Sequence, residues 1–148
     1  MRIRPARSPD LAAVRSLLED SDLPLDGVEE NFRNFIVAED ANAITGVIGL
    51  EIYGHTALLR SAAVSQALRG TGVGTRLVEN LFELAAAQGV QDIYLLTTTA
   101  TKYFPKFGFA EARRADAPES LHASREFQGA CPDTATLMKR TLVPPTRQ

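Results

Sequence analysis

Residues Arg69-Gly70-Thr71-Gly72-Val73-Gly74 set three glycines within five positions, between an apolar strand ending at Val64 and an amphipathic helix. Glycines there let the backbone turn tightly with its N–H groups facing one side. The helix that follows adds its own unpaired N–H groups and the positive end of its dipole. The two together make a seat for a phosphate or pyrophosphate. Arg69 supplies a cation at its edge, and Thr75 offers a hydroxyl. An ordinary glycine-rich turn would require neither the arginine nor a helix directly after it. A Walker loop needs G-x-x-x-x-G-K-[ST], which the chain lacks, and a dinucleotide fingerprint fails because Thr75 stands where its third glycine belongs. What remains is Arg-x-x-Gly-x-Gly at positions 69, 72 and 74.

The rest of the chain frames that turn. Met1 to Ala6 reads as a short strand. Ser8 is the expected N-cap and Pro9 the first position of a helix whose apolar stripe is Leu11, Val14, Leu17 and Leu18. That helix ends before Pro24, and Val28 to Phe32 reads as a short helical turn in a lid-like stretch. Strands are expected over Phe35–Ala38, Ala43–Tyr53 and Ala57–Val64, joined by short turns into antiparallel pairs. Leu77, Val78, Leu81, Leu84 and Ala85 form the buried face of the helix after the glycine turn, and Gly89 ends it. Ile93–Leu96 is an apolar strand, Thr98–Lys106 a short helix, Phe109 the start of a strand, Ala117–Phe127 a helix and Thr134–Leu142 a last strand. This order predicts an α/β (α+β) domain, a mostly antiparallel mixed sheet with helices on both faces, over residues 1–142, with a polar tail at 143–148.

Composition narrows the function classes. A net charge of -2 provides no global attraction for nucleic acid or an anionic membrane. No apolar run reaches the ~20 residues of a membrane span, and the N-terminus lacks a signal-peptide core, so a cytoplasmic location is expected. The single cysteine, Cys131, excludes an intrachain disulfide and reads as a buried thiol. His55 and His122 have no neighbours at ligand spacing, so no metal is expected.

The Arg-x-x-Gly-x-Gly turn after Val64 resembles the coenzyme-A pyrophosphate loop of the GNAT superfamily of N-acetyltransferases. The resemblance extends to Tyr103-Phe104-Pro105-Lys106-Phe107-Gly108-Phe109, which looks like the end of that superfamily's fourth helix. More narrowly, Gly49–Gly54, Leu59-Arg60-Ser61, Leu96–Ala100 and Cys131-Pro132 resemble the N-acetyltransferases of arsenic-resistance operons and the short-form amino-acid N-acetyltransferases. The resemblance implies the GNAT fold and acetyl-CoA as cosubstrate. It also implies that the strand before the loop splays from its neighbour. Ala62, Ala63 and Val64 would then pair with the pantetheine arm like an added strand. An N–H near Ala62 would face the thioester oxygen and stabilise the oxyanion by ~3 kcal/mol. Gly70, Thr71, Gly72, Val73, Gly74 and Thr75 would cradle the diphosphate with Arg69. Thr97 stands where many relatives carry a cofactor-contacting asparagine. Phe104 falls where the superfamily often has the tyrosine that protonates the leaving thiolate, and Tyr103 is its neighbour.

Three residues concern the acceptor amine. Glu51 alternates with Leu50 and Ile52 and reads either as the base that takes the amine's proton or as a solvent-facing strand carboxylate. Arg60 interrupts an apolar strand and needs an anionic partner. That partner is a substrate carboxylate, as the amino-acid acetyltransferases imply, or a protein carboxylate. Arg125 would add charge near the same cleft. The expected function is acetyl transfer to the amine of a small amino-acid-like molecule by direct attack in a ternary complex, with detoxification of a toxic amino acid or organoarsenical as its setting. Glutamate N-acetylation and a non-catalytic acyl-CoA-binding module are the alternatives. Pairing of sheet edges into a homodimer is left open.

Overall fold

The computed structural model describes residues 1–130 and 134–142. Cys131, Pro132 and the 143–148 tail lie outside the described residues. Seven strands form one sheet in the order β1-β2-β3-β4-β5-β7-β6. They are β1 Arg2–Pro5, β2 Phe35–Asp40, β3 Ala43–Tyr53, β4 Thr56–Val64, β5 Asp92–Thr97, β6 Ala110–Glu111 and β7 Thr136–Thr141. All neighbours pair antiparallel except β4 and β5, which run parallel. Helix α1 spans Leu11–Asp20 and α2 spans Val73–Ala87.

The helices cover opposite faces of the sheet because alternate strand residues point opposite ways. Leu77, Val78, Leu81 and Ala85 of α2 pack on Ile36, Ala38, Ile48, Leu50, Ala57, Leu59, Ile93 and Leu95. Val14 and Leu18 of α1 pack on Phe35, Val37, Val47 and Ala63 of the other face. Further along that second face, Leu58, Tyr94 and Leu137 are covered by Leu121 from the segment between β6 and β7. A mixed sheet with a helix on each face is the architecture the sequence predicted.

Four local readings change. Ser8 is the first residue of a 3-10 turn, not an N-cap; Asp10 closes that turn by accepting from the Arg7 N–H at 2.8 Å. Asp10 also pairs with the buried Arg4 at 2.8 Å, and that hydrogen bond holds its carboxyl below the usual carboxylate range. The helix expected at Thr98–Lys106 shrinks to a 3-10 turn over Phe104–Phe107. Thr97 Oγ1 accepts from the Ala100 N–H at 2.9 Å, the contact of a helix N-cap, but no α-helix follows it. The expected Ala117–Phe127 helix breaks at Ser124, whose φ −74°, ψ 134° is extended, leaving short helical turns at Glu119–Ala123 and Glu126–Ala130. The turn expected at Val28–Phe32 forms its short helix later, over Phe32–Asn34.

Gly49 leaves no room for a side chain. A Cβ there would clash with the ring of Phe35, coming within 2.6 Å of three of its carbons. Gly49→Ala should therefore destabilise the protein by about 2 kcal/mol through overpacking, read from the midpoint of urea denaturation.

Candidate active site

The site begins with a fault in β4. Val47 pairs with Ala63, but Gly49 pairs with Arg60, so one extra residue is accommodated on β4 opposite Ile48. Ser61 absorbs it with a left-handed backbone, φ +59°. The bulge reverses the alternation of the strand. Before it, Ala57 and Leu59 face α2; after it, Val64 does, while Ala63 faces α1. It also turns β4 away from β5. Their parallel pairing covers Thr56–Leu58 only. The outer edge of Ala62–Val64 is thus left without a strand partner, as the sequence resemblance implied.

Helix α2 starts at the end of that unpaired stretch. Gly70 and Gly72 both take left-handed φ, +82° and +91°, and Gly72 is the N-cap. A Cβ at either would meet open space, so glycine is required there by conformation and not by crowding. The first intrahelical bond runs from the Arg76 N–H to Gly72 O at 3.1 Å. The N–H groups of Val73, Gly74 and Thr75 precede it and stand at the positive helix end. These elements enclose a cavity of about 480 Å³ lined by Ala62, Ala63, Val64, Arg69, Gly70, Gly72, Gly74, Thr75, Tyr103 and Lys106. Thr71 is exposed on the turn and Val73 is buried as the helix's first core contact. Arg69 folds back and donates from Nε to Val64 O at 3.2 Å, occupying one of the carbonyls expected to meet pantetheine.

The segment after β5 forms the opposite wall. Phe104 is buried in the α2-side core, edge-on to Phe109, and does not line the cavity. Its expected cofactor contact is therefore corrected to a packing role. Tyr103 lines the cavity instead. Its hydroxyl lies so close to α2 that a Cβ on Gly74 would be 2.8 Å from it, and it is within reach of the Thr75 side chain. Burial pushes the Tyr103 phenol up, so it keeps its proton throughout the neutral range. Lys106 sits 4.1 Å above the Tyr103 ring and adds a second cation to the cavity that sequence reasoning missed. Its signal was present, three residues after Tyr103 in a turn with threefold periodicity. Thr97 does not line this cavity, and its hydroxyl oxygen is engaged by the Ala100 N–H.

On the α1 face lies a buried polar cluster. The Arg60 side chain is 0% exposed, and Glu51 is 1% exposed. Arg60 Nη1 donates to Glu51 Oε2 at 2.6 Å, Nη2 donates to Pro24 O at 3.2 Å, and Nε donates to Ser61 Oγ at 3.0 Å. Glu126 stands 3.4 Å from Nη2. The Tyr53 hydroxyl donates to the other oxygen of Glu51. Burial, and then the Glu51 carboxylate, push that phenol above its ordinary range. Glu51 is therefore neither solvent-facing nor a free base; both its oxygens are engaged. Arg60 meets protein carboxylates, the second of the two readings left open by the sequence. Arg125 lies apart, its side chain 61% exposed beside Glu30 at 3.7 Å. Ser124 and Glu126 were invisible to sequence reasoning, because their partners Tyr53 and Arg60 lie on other elements; Tyr53 shares β3 with Glu51, and that spacing of two was the signal missed.

A sequence model of the acetyltransferase (GNAT) domain matches residues 31–111. The chain belongs to the GNAT acetyltransferases. An uncharacterized N-acetyltransferase of Chlorobaculum tepidum is 25% identical over 127 residues, covering 80% of this chain and 81% of its own. An amino-acid acetyltransferase of Ralstonia nicotianae is 30% identical over 137 residues, which cover 85% of this chain but 30% of that longer protein. The N-acetylglutamate synthase of Neisseria gonorrhoeae, solved with coenzyme A and N-acetyl-glutamate, superposes with a TM-score of 0.82 at 22% identity. The overlap is 96% of this chain and 35% of that one.

This GNAT chain is an acetyl-CoA-dependent N-acetyltransferase. The cavity fits that cosubstrate: the helix N–H groups, Arg69 and Lys106 form one end, and the unpaired edge of β4 forms the other. When bound, acetyl-CoA supplies the activated acyl group. Among the described residues no cluster of three or more His, Cys, Asp or Glu side chains could hold a metal, and no helix is long and apolar enough to cross a membrane.

Two consequences are measurable. Gly72→Val imposes a left-handed backbone on a β-branched residue at the N-cap and should weaken CoA binding at least tenfold by calorimetry. Arg60→Ala strands two buried carboxylates and should destabilise the fold by about 3–5 kcal/mol in denaturant titration, ahead of any effect on turnover.

Proposed function

We propose that this N-acetyltransferase acetylates the amine of a small amino-acid-like acceptor, which attacks the thioester directly in a ternary complex. The observation that carries the reading is the unpaired edge of β4 at Ala62–Val64, running from the diphosphate seat toward Arg60. Acetyl-CoA laid along that edge would hydrogen-bond as an added strand, with its diphosphate on the N–H groups of residues 72–75. An N–H near Ala62 would face the thioester oxygen and stabilise the oxyanion that forms on attack. Tyr103, neutral and at the cavity wall, is the group in this chain suited to give the departing thiolate a proton. Lys106 and Arg69 would neutralise phosphate charge.

The acceptor class is supported by the amino-acid acetyltransferase of Ralstonia nicotianae and by the N-acetyl-glutamate held by the Neisseria gonorrhoeae enzyme, both longer proteins. It is also supported by Arg60, a buried cation two residues before Ala62. In this reading Glu51 does not take the amine's proton. It fixes Arg60, with Tyr53 bracing it from the other side. Arg125 contributes long-range charge at most, because its head is in solvent. Detoxification of a toxic amino acid or organoarsenical and biosynthesis of N-acetylglutamate are both consistent with this chemistry. Residues 1–142 form the catalytic unit, and a cytoplasmic location suits a cosubstrate made there.

Thiol release from acetyl-CoA across a panel of amines tests the reading. Turnover with at least one amino acid, and none without an amine, is expected; saturable CoA binding without turnover for any amine would mark a binding module instead. Glu51→Gln should raise the acceptor KM severalfold with little change in kcat. A fall in kcat with a displaced pH profile would restore Glu51 as the base.

A further inference from the structure

Glu126 is the outlying member of the buried cluster. Glu51 approaches Arg60 at 2.6 Å with a hydrogen bond, whereas Glu126 approaches Arg60 at the longer distance of 3.4 Å as an ion pair. The side chains are 0%, 1% and 5% exposed for Arg60, Glu51 and Glu126. One arginine thus faces two carboxylates in a water-poor site, and a third carboxylate cannot be added to it without a large electrostatic cost. The two carboxylates also differ in what carries them. Glu51 is on β3, where it pairs with Leu58 of β4. Glu126 is on a single irregular turn, Glu126–Ala130, between the extended Ser124 and Gly129 at φ +122°. The turn is anchored on the sheet through Leu121 and Phe127 rather than by strand pairing. Arg60 also grips Pro24 O in the loop after α1, so the same guanidinium ties down both coverings of this face.

We propose that Glu126 is a specificity-determining residue, an internal carboxylate that holds the place on Arg60 which a carboxylated acceptor takes only in exchange for it. The inference rests on the acceptor class proposed above. An incoming carboxylate within reach of Nη2 replaces Glu126 one for one, keeping the charge count of the cluster. Glu51, Ser61 and Pro24 keep the guanidinium oriented throughout. Release of Glu126 lets the 119–130 segment lift from the sheet, which is how a fully buried arginine becomes reachable. An acceptor without a carboxylate gains nothing from Arg60 and leaves the segment in place. Glu126 therefore sets a threshold that separates acidic amines from neutral ones.

The test compares L-glutamate with L-isoglutamine, which replaces only the α-carboxylate by an amide, and with L-glutamine, which replaces only the side-chain carboxylate. Thiol release and calorimetry on the CoA-loaded protein are run with wild type, Glu126→Gln and Glu126→Asp. Glu126→Gln is expected to lower the KM or Kd for glutamate about tenfold relative to the amide that lacks the carboxylate read by Arg60, with Glu126→Asp intermediate. Hydrogen exchange over 119–130 should rise when wild type binds glutamate. If Glu126→Gln folds and the glutamate-to-amide ratio is unchanged or falls, or if exchange over the segment slows on glutamate binding, the proposal is overturned. Should Glu126→Gln lose its fold, Glu126→Asp and the wild-type exchange data decide alone. Wild type that binds CoA but neither binds nor acetylates any of the three amines overturns it as well. Wild type that is active on amines with an unchanged ratio refutes Glu126's role while leaving the acetyltransfer reading intact.

Discussion

The whole site depends on one extra residue in β4. A strand pairing regularly with both neighbours would present no free backbone to a ligand. The bulge at Ser61, opposite Ile48, ends the β4–β5 ladder after Leu58 and exposes the edge of Ala62–Val64. It costs a non-glycine residue a left-handed conformation, about 1 kcal/mol or more. That strain is offset by burial of the residues around it and by the Arg60 Nε bond to Ser61 Oγ. The same fault places Arg60 on one side of the sheet and Val64 on the other, so the cosubstrate groove and the arginine cluster arise from a single irregularity.

From that fault the two halves of the chemistry separate by face. Toward α2, the groove runs into the N–H groups of the helix start, with Tyr103 and Lys106 as its far wall. Toward α1, the cluster around Arg60 joins the loop after α1 to the segment before β7. The first half is electrostatically positive and open. The second is closed, and its arginine is already matched by carboxylates. Binding of the anionic cosubstrate therefore needs no internal rearrangement of charge, whereas recognition of an anionic acceptor does.

The parts legible in the sequence were those fixed by local physics. Gly70 and Gly72 sit at left-handed φ before a helix, as the spacing of glycines indicated. The α2 stripe and the long β3–β4 hairpin follow from apolar periodicity. The splay of β4 came from family resemblance, not from Ser61, whose sequence gives no hint of positive φ. Phe104 was placed at the cofactor by the motif resemblance around Tyr103–Phe109, but it is buried in the α2-side core and Tyr103 lines the cavity. The segment forms a 3-10 turn over Phe104–Phe107, with Phe104 in the core. Glu126 and Pro24 meet Arg60 across chain separations that no local pattern encodes, whereas Tyr53 meets Glu51 two residues away on the same strand.

The central claim is that acetyl-CoA lies along the unpaired edge of β4 with its diphosphate at the start of α2. Amide chemical-shift mapping by ¹⁵N NMR during titration with CoA tests it residue by residue. The account predicts large, saturable shifts at Ala62–Val64 and Gly70–Thr75, with smaller ones at Tyr103 and Lys106. Saturable shifts centred elsewhere, such as the smaller cleft between Ile3, Arg33, Asn80 and Leu84, with those amides unmoved, would contradict it.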